Sequence, residues 1–266
     1  MESKGSIVEN STKRKVFQGG LAASLNVSRL RTADAAGLAA SCGFDWLFID
    51  MEHNSIEYSV AADMCVAALA TGITPIARVA GHEPNLAARM LDAGAQGIVV
   101  PHVDTADQAR AVANACLYPP LGGRSLTAPL PQARFRPVPF ATLMEEVNKQ
   151  TLVVVMLETA SAIENAEEIA AVPGIDVLMI GTNDLAADLG IAGQLEHESI
   201  QRSYARTIAA CKGAGKVAGM GGVYDHELIR RYVEMGVRFM LGGSDVSFMM
   251  EGGKRRAEFV ASLQAS

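Results

Sequence analysis

The chain has 266 residues, 49% hydrophobic and 20% charged, which suffices for a large buried core and argues against global disorder. A net charge of −6 with no basic stripe argues against a nucleic-acid partner. Cys42, Cys65, Cys116 and Cys211 stand far apart without a C-x-x-C pair, so they read as buried thiols of a reducing cytosol, not as zinc ligands or disulfides.

Residues 1–15 are polar and charged with no apolar signal core, so 1–16 are expected to form a flexible tail ahead of a single domain over 17–266. Short apolar runs then alternate with longer helical stretches. Strands are expected near 20–26, 45–50, 74–78, 97–101, 152–157, 176–180, 216–220 and 238–242. Alanine-rich segments with helical spacing lie between them, among them 56–70, 84–93, 106–117, 160–171 and 228–235. Strands buried on both faces read as continuous apolar runs, and alternation with helices implies a parallel sheet. Eight such units predict an α/β fold of the (β/α)₈ TIM-barrel type; an open doubly wound sheet is the alternative, disfavoured by eight strands without a second domain. Residues 118–139 break the rhythm with six prolines, predicting a long loop, of the kind that is often functional, and then an extra helix over 140–149. Apolar runs such as 152–157 are too short to span a bilayer.

In such barrels the chemistry sits at the C-terminal ends of the strands. The polar residues there are Asp50-Met-Glu-His53 after strand two, Arg78 after three, His102 after four, Glu158 after five and Asn183-Asp184 after six. Glycine turns follow strands seven and eight, at 221–222 and 242–243. Glu158 and Asp184, at the ends of neighbouring strands, can share one hard divalent cation and leave positions open for a substrate. Two helix N-caps are the plainer reading of the same pair. His53 can likewise be a surface histidine, Arg78 a rim salt bridge, and His82 and His102 structural or loop residues. The glycine pairs can be turn formers or a phosphate cradle.

Several runs together resemble one family. They are Phe44-Asp-Trp-Leu-Phe-Ile-Asp-Met-Glu-His53, Leu91-Asp-Ala-Gly-Ala-Gln-Gly-Ile-Val-Val-Pro101, Tyr118-Pro-Pro-x-Gly122-x-Arg124, Glu158-Thr159 and Ile180-Gly-x-x-Asp-Leu185. In this order and spacing the chain resembles the HpcH/HpaI aldolases, the metal-dependent class II pyruvate aldolases. The resemblance implies Glu158 and Asp184 as ligands of Mg²⁺ or Mn²⁺, with Co²⁺ as a third candidate. It implies His53 as the catalytic base, Asp92 as the aspartate that orients it, and Arg78 as the group that stabilises the enolate. Gly181, Thr182 and Asn183, with Asp184, match the turn that grips the pyruvate carboxylate. It further implies cleavage of a 4-hydroxy-2-oxo acid to pyruvate and an aldehyde in the cytoplasm, by a homo-oligomer built as a hexamer, a trimer of dimers whose partners exchange their C-terminal helices.

Three positions depart from the family's habit: Met156 where glutamine is frequent, Gly181-Thr-Asn-Asp184 where Gly-Pro-Ala-Asp is common, and Ser125 where glycine often follows the loop arginine. They bear on which substrate is used. A related lyase acting on a CoA thioester, of the citrate or malyl type, is the nearest alternative, and a non-catalytic barrel that binds a 2-oxo acid is another.

Overall fold

The computed structural model describes residues 7–81 and 84–264, so the His82 reading lies outside the described residues. Eight parallel strands close into a barrel in simple chain order: β1 Ala22–Val27, β2 Trp46–Asp50, β3 Thr74–Arg78, β4 Gly97–Val100, β5 Leu152–Leu157, β6 Val177–Gly181, β7 Val217–Gly221 and β8 Phe239–Ser244. Each expected strand is present, shifted by no more than a few residues. The helices are α1 Ser11–Phe17, α2 Ala35–Ser41, α3 Tyr58–Thr71, α4 Pro84–Asp92, α5 Ala106–Cys116, α6 Phe140–Gln150, α7 Ala160–Glu164, α8 Ala166–Ala170, α9 Thr182–Asp188, α10 Glu198–Ala214, α11 His226–Met235 and α12 Asp245–Gln264.

Alternation along the strands divides the core in two. Ala22, Trp46, Ile76, Val154, Met179, Val217 and Phe239 point inward and fill the barrel, where Trp46 stacks on Phe239 at 4.1 Å. Leu47, Ile49, Ala77, Ile98, Val155, Leu178 and Met240 point outward beneath the helices. With a period of two, the next inward positions toward the C-terminal ends are Asn26, Asp50, Arg78, Glu158, Gly181 and Gly221. The interior therefore changes from apolar to polar one layer below the mouth.

The expectation of a loose segment over 1–16 needs correction for residues 7–16, while residues 1–6 lie outside the described residues. Residues 11–17 form α1, which closes the floor of the barrel. Asn10 caps it by accepting from the Lys13 N–H at 2.8 Å, and its Nδ2 donates to the carbonyls of Gln96 and Gln150. Lys13 pairs with Asp176 at 3.0 Å, Lys15 with Asp45 at 2.6 Å, and Val16 enters the inner core. The polar composition of the segment conceals this, because its partners are backbone and side-chain groups far along the chain.

The long loop and the extra helix after it fall where expected, but at the floor. α5 runs back from the mouth, so the chain that follows it starts at the opposite end. Gln132 Nε2 donates to the carbonyls of Leu91 and Ala95, and Ile7, Tyr118, Leu130 and Leu143 form a small core of their own. At the other terminus α12 leaves Phe248, Met249, Met250, Phe259, Val260 and Leu263 exposed.

Candidate active site

Asp50 and Arg78 are register partners on β2 and β3, both facing the barrel axis. Arg78 Nε donates to Asp50 Oδ1 at 2.8 Å, and Arg78 Nη1 lies 2.9 Å from Glu52 Oε2. The guanidinium also sits over the Phe48 ring at 5.3 Å, and its Nη1 meets the Met156 thioether at 3.9 Å. Burial opposes the charge on Arg78, but the carboxylates of Asp50, Glu52 and Glu158 outweigh it and keep the group fully protonated. Asp50 in turn accepts from the N–H groups of Glu52 and His53 and from Asn54 Nδ2 at 2.6 Å. One carboxylate thus fixes both the arginine and the turn that carries His53. The His53 ring is largely exposed, with Nε2 3.8 Å from Glu52 Oε2.

Across the mouth, Glu158 is 2% exposed and accepts from the His102 N–H at 2.7 Å. Burial raises its pKa; the His102 N–H and ring pull it down, and the charges of Asp184 and Glu52 raise it again. The His102 ring bridges two acids, with Nδ1 3.0 Å from Glu158 and Nε2 3.5 Å from Glu52. Its φ of 55° turns the chain sharply just past β4 and permits this placement. A Cβ at position 181 would lie 2.6 Å from both Cγ and Oε1 of Glu158, so only glycine fits beside this carboxylate. Thr182 is held from behind: its Oγ1 donates to the Gly221 carbonyl at 2.7 Å and meets the Tyr204 hydroxyl at 2.7 Å. Tyr204 stacks on Tyr232 at 3.8 Å. Asn183 and Asp184 follow in the first turn of α9, both exposed.

The site therefore unites Arg78, His53, Glu158 and the 181–184 turn with two further acids, Asp50 and Glu52, and a second histidine, His102. A family model described as HpcH/HpaI aldolase/citrate lyase matches residues 28–251, which include every one of these side chains. The chain belongs to the HpcH/HpaI aldolase/citrate lyase family. It is 35% identical over 258 residues to a 4-hydroxy-4-methyl-2-oxoglutarate aldolase of Chaetomium globosum, covering 96% of each chain. It is 39% identical over 219 residues to a 2-dehydro-3,6-dideoxy-6-sulfogluconate aldolase of Pseudomonas putida, covering 82% of this chain and 84% of the relative. The crystal structure of an HpcH/HpaI aldolase from Desulfitobacterium hafniense superposes with a TM-score of 0.88 at 27% identity, over 93% of this chain and 95% of that one. As a member of this HpcH/HpaI family the protein is a lyase of the aldolase type.

The donor set fits a hard divalent cation. A buried Glu158 crowded by the charges of Asp184 and Glu52 is the arrangement such an ion relieves. Among the described residues no three His, Cys, Asp or Glu side chains converge on a ready-made metal cage. Two carboxylates alone leave room for water and substrate oxygens.

Asp92 does not join this group. It ends α4, which runs from the mouth to the floor, and there it pairs with the buried Arg124 at 2.6 Å. Within one chain it cannot orient His53. Direction of travel is the physical reason: a residue one helix beyond β3 has returned to the opposite end of the barrel. The residue that does hold the His53 turn is Asp50, three positions earlier. The sequence contained this signal, since Asp50 has the same inward parity as Trp46 and Phe48.

Proposed function

We propose that the protein is a divalent-metal-dependent aldolase that cleaves a 4-hydroxy-2-oxo acid to pyruvate and an aldehyde. The observation that carries this reading is the single polar layer that places Arg78, with its carboxylate partners, opposite the buried Glu158. Glu158 and Asp184 would hold Mg²⁺ or Mn²⁺, with Co²⁺ also compatible with two carboxylates. When bound, the cation supplies Lewis acidity at the keto oxygen of the 2-oxo acid. The 181–183 turn receives the substrate carboxylate, and the Thr182 hydroxyl keeps that turn in place. Arg78 presents a fixed positive fork to the oxygen on which negative charge grows as the carbon–carbon bond breaks. His53, steadied by Asp50 through its backbone, takes the proton of the 4-hydroxyl in cleavage and returns it in synthesis.

Asp92 can serve His53 only from a second copy of the chain. The exposed apolar residues of α12 support self-association, in keeping with a homo-oligomer of the hexameric kind. Cys65, Cys116 and Cys211 are buried as expected, whereas Cys42 is exposed; all four are free thiols, which supports a reducing, cytoplasmic setting. Among the described residues no helix is long and apolar enough to cross a membrane.

The deciding experiment is pyruvate release, coupled to lactate dehydrogenase, across a panel of 4-hydroxy-2-oxo acids with and without EDTA. Release of pyruvate that EDTA abolishes and Mg²⁺ or Mn²⁺ restores is the expected result. No release from any member of the panel would overturn the reading.

A further inference from the structure

The polar layer at the mouth is lopsided. β1, β2, β3 and β5 bring Asn26, Asp50, Arg78 and Glu158 inward, whereas the matching positions of β6 and β7 are Gly181 and Gly221. One side chain reaches from the loop after β7 to the β1 side of this layer. Tyr224 is 50% exposed, yet its hydroxyl accepts a hydrogen bond from Nδ2 of the inward Asn26 at 3.3 Å. Asn26 is itself oriented by Ser24, whose hydroxyl donates to Asn26 Oδ1 at 2.6 Å. Ser24 and Asn26 are buried, and both share the inward face of β1 with Ala22.

The direction of this relay matters. Ser24 donates to Asn26, and Asn26 donates to Tyr224, so the phenolic proton remains for an acceptor in the mouth. Among the described residues no acceptor for it is present in the chain. Burial raises the Tyr224 pKa against the opposing pulls of the Asn26 bond and the Arg78 charge, so the phenol keeps that proton at neutral pH. A 2-oxo acid bound between Glu158, Asp184 and Arg78 fills the β3, β5 and β6 side of the mouth. Its remaining atoms, which leave as the aldehyde, extend toward the β1 side of the mouth, where Tyr224 stands over Asn26.

We propose that Tyr224 is a specificity-determining residue whose hydroxyl donates to an oxygen carried on the aldehyde-derived part of the substrate. This inference rests on the aldolase reading above. That oxygen belongs to a hydroxyl or a carboxylate, and Tyr224 distinguishes such fragments from plain alkyl ones.

The test is condensation of pyruvate with glycolaldehyde, succinate semialdehyde and propanal in the presence of Mg²⁺ or Mn²⁺, comparing the wild type with Tyr224→Phe. Loss of one hydrogen bond should lower kcat/KM by about tenfold for at least one of the two oxygen-bearing aldehydes. Whether glycolaldehyde or succinate semialdehyde suffers more identifies the oxygen as hydroxyl or carboxylate. Propanal should change by less than about twofold, because it offers no second oxygen for the phenol to meet. Pyruvate α-proton exchange in D₂O, which involves no aldehyde, reports on the other half of the site and should persist. Equal losses for all three aldehydes, or no loss for any, would overturn the proposal while leaving the aldolase reading intact. A wild-type protein that neither exchanges nor condenses would sink both.

Discussion

Asp50 and Arg78 stand side by side at the inner end of neighbouring strands, and a 2.8 Å hydrogen bond from Nε to Oδ1 joins them. The bond uses only one face of the guanidinium. Nη1 lies 2.9 Å from Glu52. Arg78→Lys keeps the charge but loses the planar fork. Turnover should fall by ~10²–10³-fold, as expected when a preorganised donor to a developing oxyanion is removed. Pyruvate α-proton exchange, followed by NMR, should fall with it. Wild-type turnover in the lysine variant would reduce Arg78 to a rim salt bridge.

Asp50→Asn tests the same pair from the other side. Burial alone would raise the Asp50 pKa, but the Arg78 hydrogen bond and charge, helped by the N–H groups of Glu52 and His53, hold it below the ordinary range. A carboxyl lowered on folding adds stability above its unfolded pKa of about 4 and loses it as pH falls through the lower, folded value. The asparagine variant should therefore be less stable at neutral pH, by up to roughly 3–5 kcal/mol, the cost of breaking a buried pair. Its melting temperature should also depend less on pH on the acid side than that of the wild type. Parallel acid limbs for the two proteins would show that Asp50 is not the group responsible.

Metal dependence follows from the crowding around Glu158. EDTA should stop turnover, and Glu158→Gln should lose Mg²⁺ or Mn²⁺ binding by calorimetry while remaining folded. Full activity in EDTA, together with borohydride trapping of a pyruvate adduct, would instead indicate Schiff-base chemistry.

The two histidines of the mouth can be separated. His53→Ala should reduce cleavage by ~10²–10⁴-fold, the usual worth of a general base, and leave pyruvate and metal binding in place. His102→Ala should weaken metal binding, because it removes the imidazole that lies between Glu158 and Glu52. If cleavage survives in the first variant and vanishes in the second with metal binding intact, the base is His102.

Thr182→Val removes the hydroxyl that links Tyr204 to the Gly221 carbonyl, leaving two buried polar groups unpaired. The expected destabilisation is about 1–3 kcal/mol. Because the same residue backs the turn assigned to the substrate carboxylate, KM for the oxo acid should rise as well. A lower melting temperature with an unchanged KM would confine Thr182 to packing.

The barrel was legible because strands buried on both faces, such as Leu152–Leu157, read as unbroken apolar runs, and eight of them recur in order. The places of Glu158, Arg78 and His53 at the mouth are legible because each lies at or just past the end of such a run. The end of the barrel that Asp92 occupies is not legible, because a motif gives spacing along the chain but not which end a helix has reached. The contacts of His102 depend on a left-handed backbone turn that nothing in its neighbours announces. The contact of Asn26 with Tyr224 leaves no trace because the two meet across 198 positions and carry no charge.

The helix beneath the barrel has a consequence for how changes in this protein should behave. Asn10 and Lys13 bind groups 86 to 163 positions away, so the floor is sealed by contacts that only a nearly complete barrel can offer. Truncation before residue 18 should lower resistance to heat and denaturant far more than it alters selectivity among aldehydes. The floor contributes endurance from the pole opposite the chemistry, with a packed apolar interior between them, so it can be reinforced with little regard to the mouth.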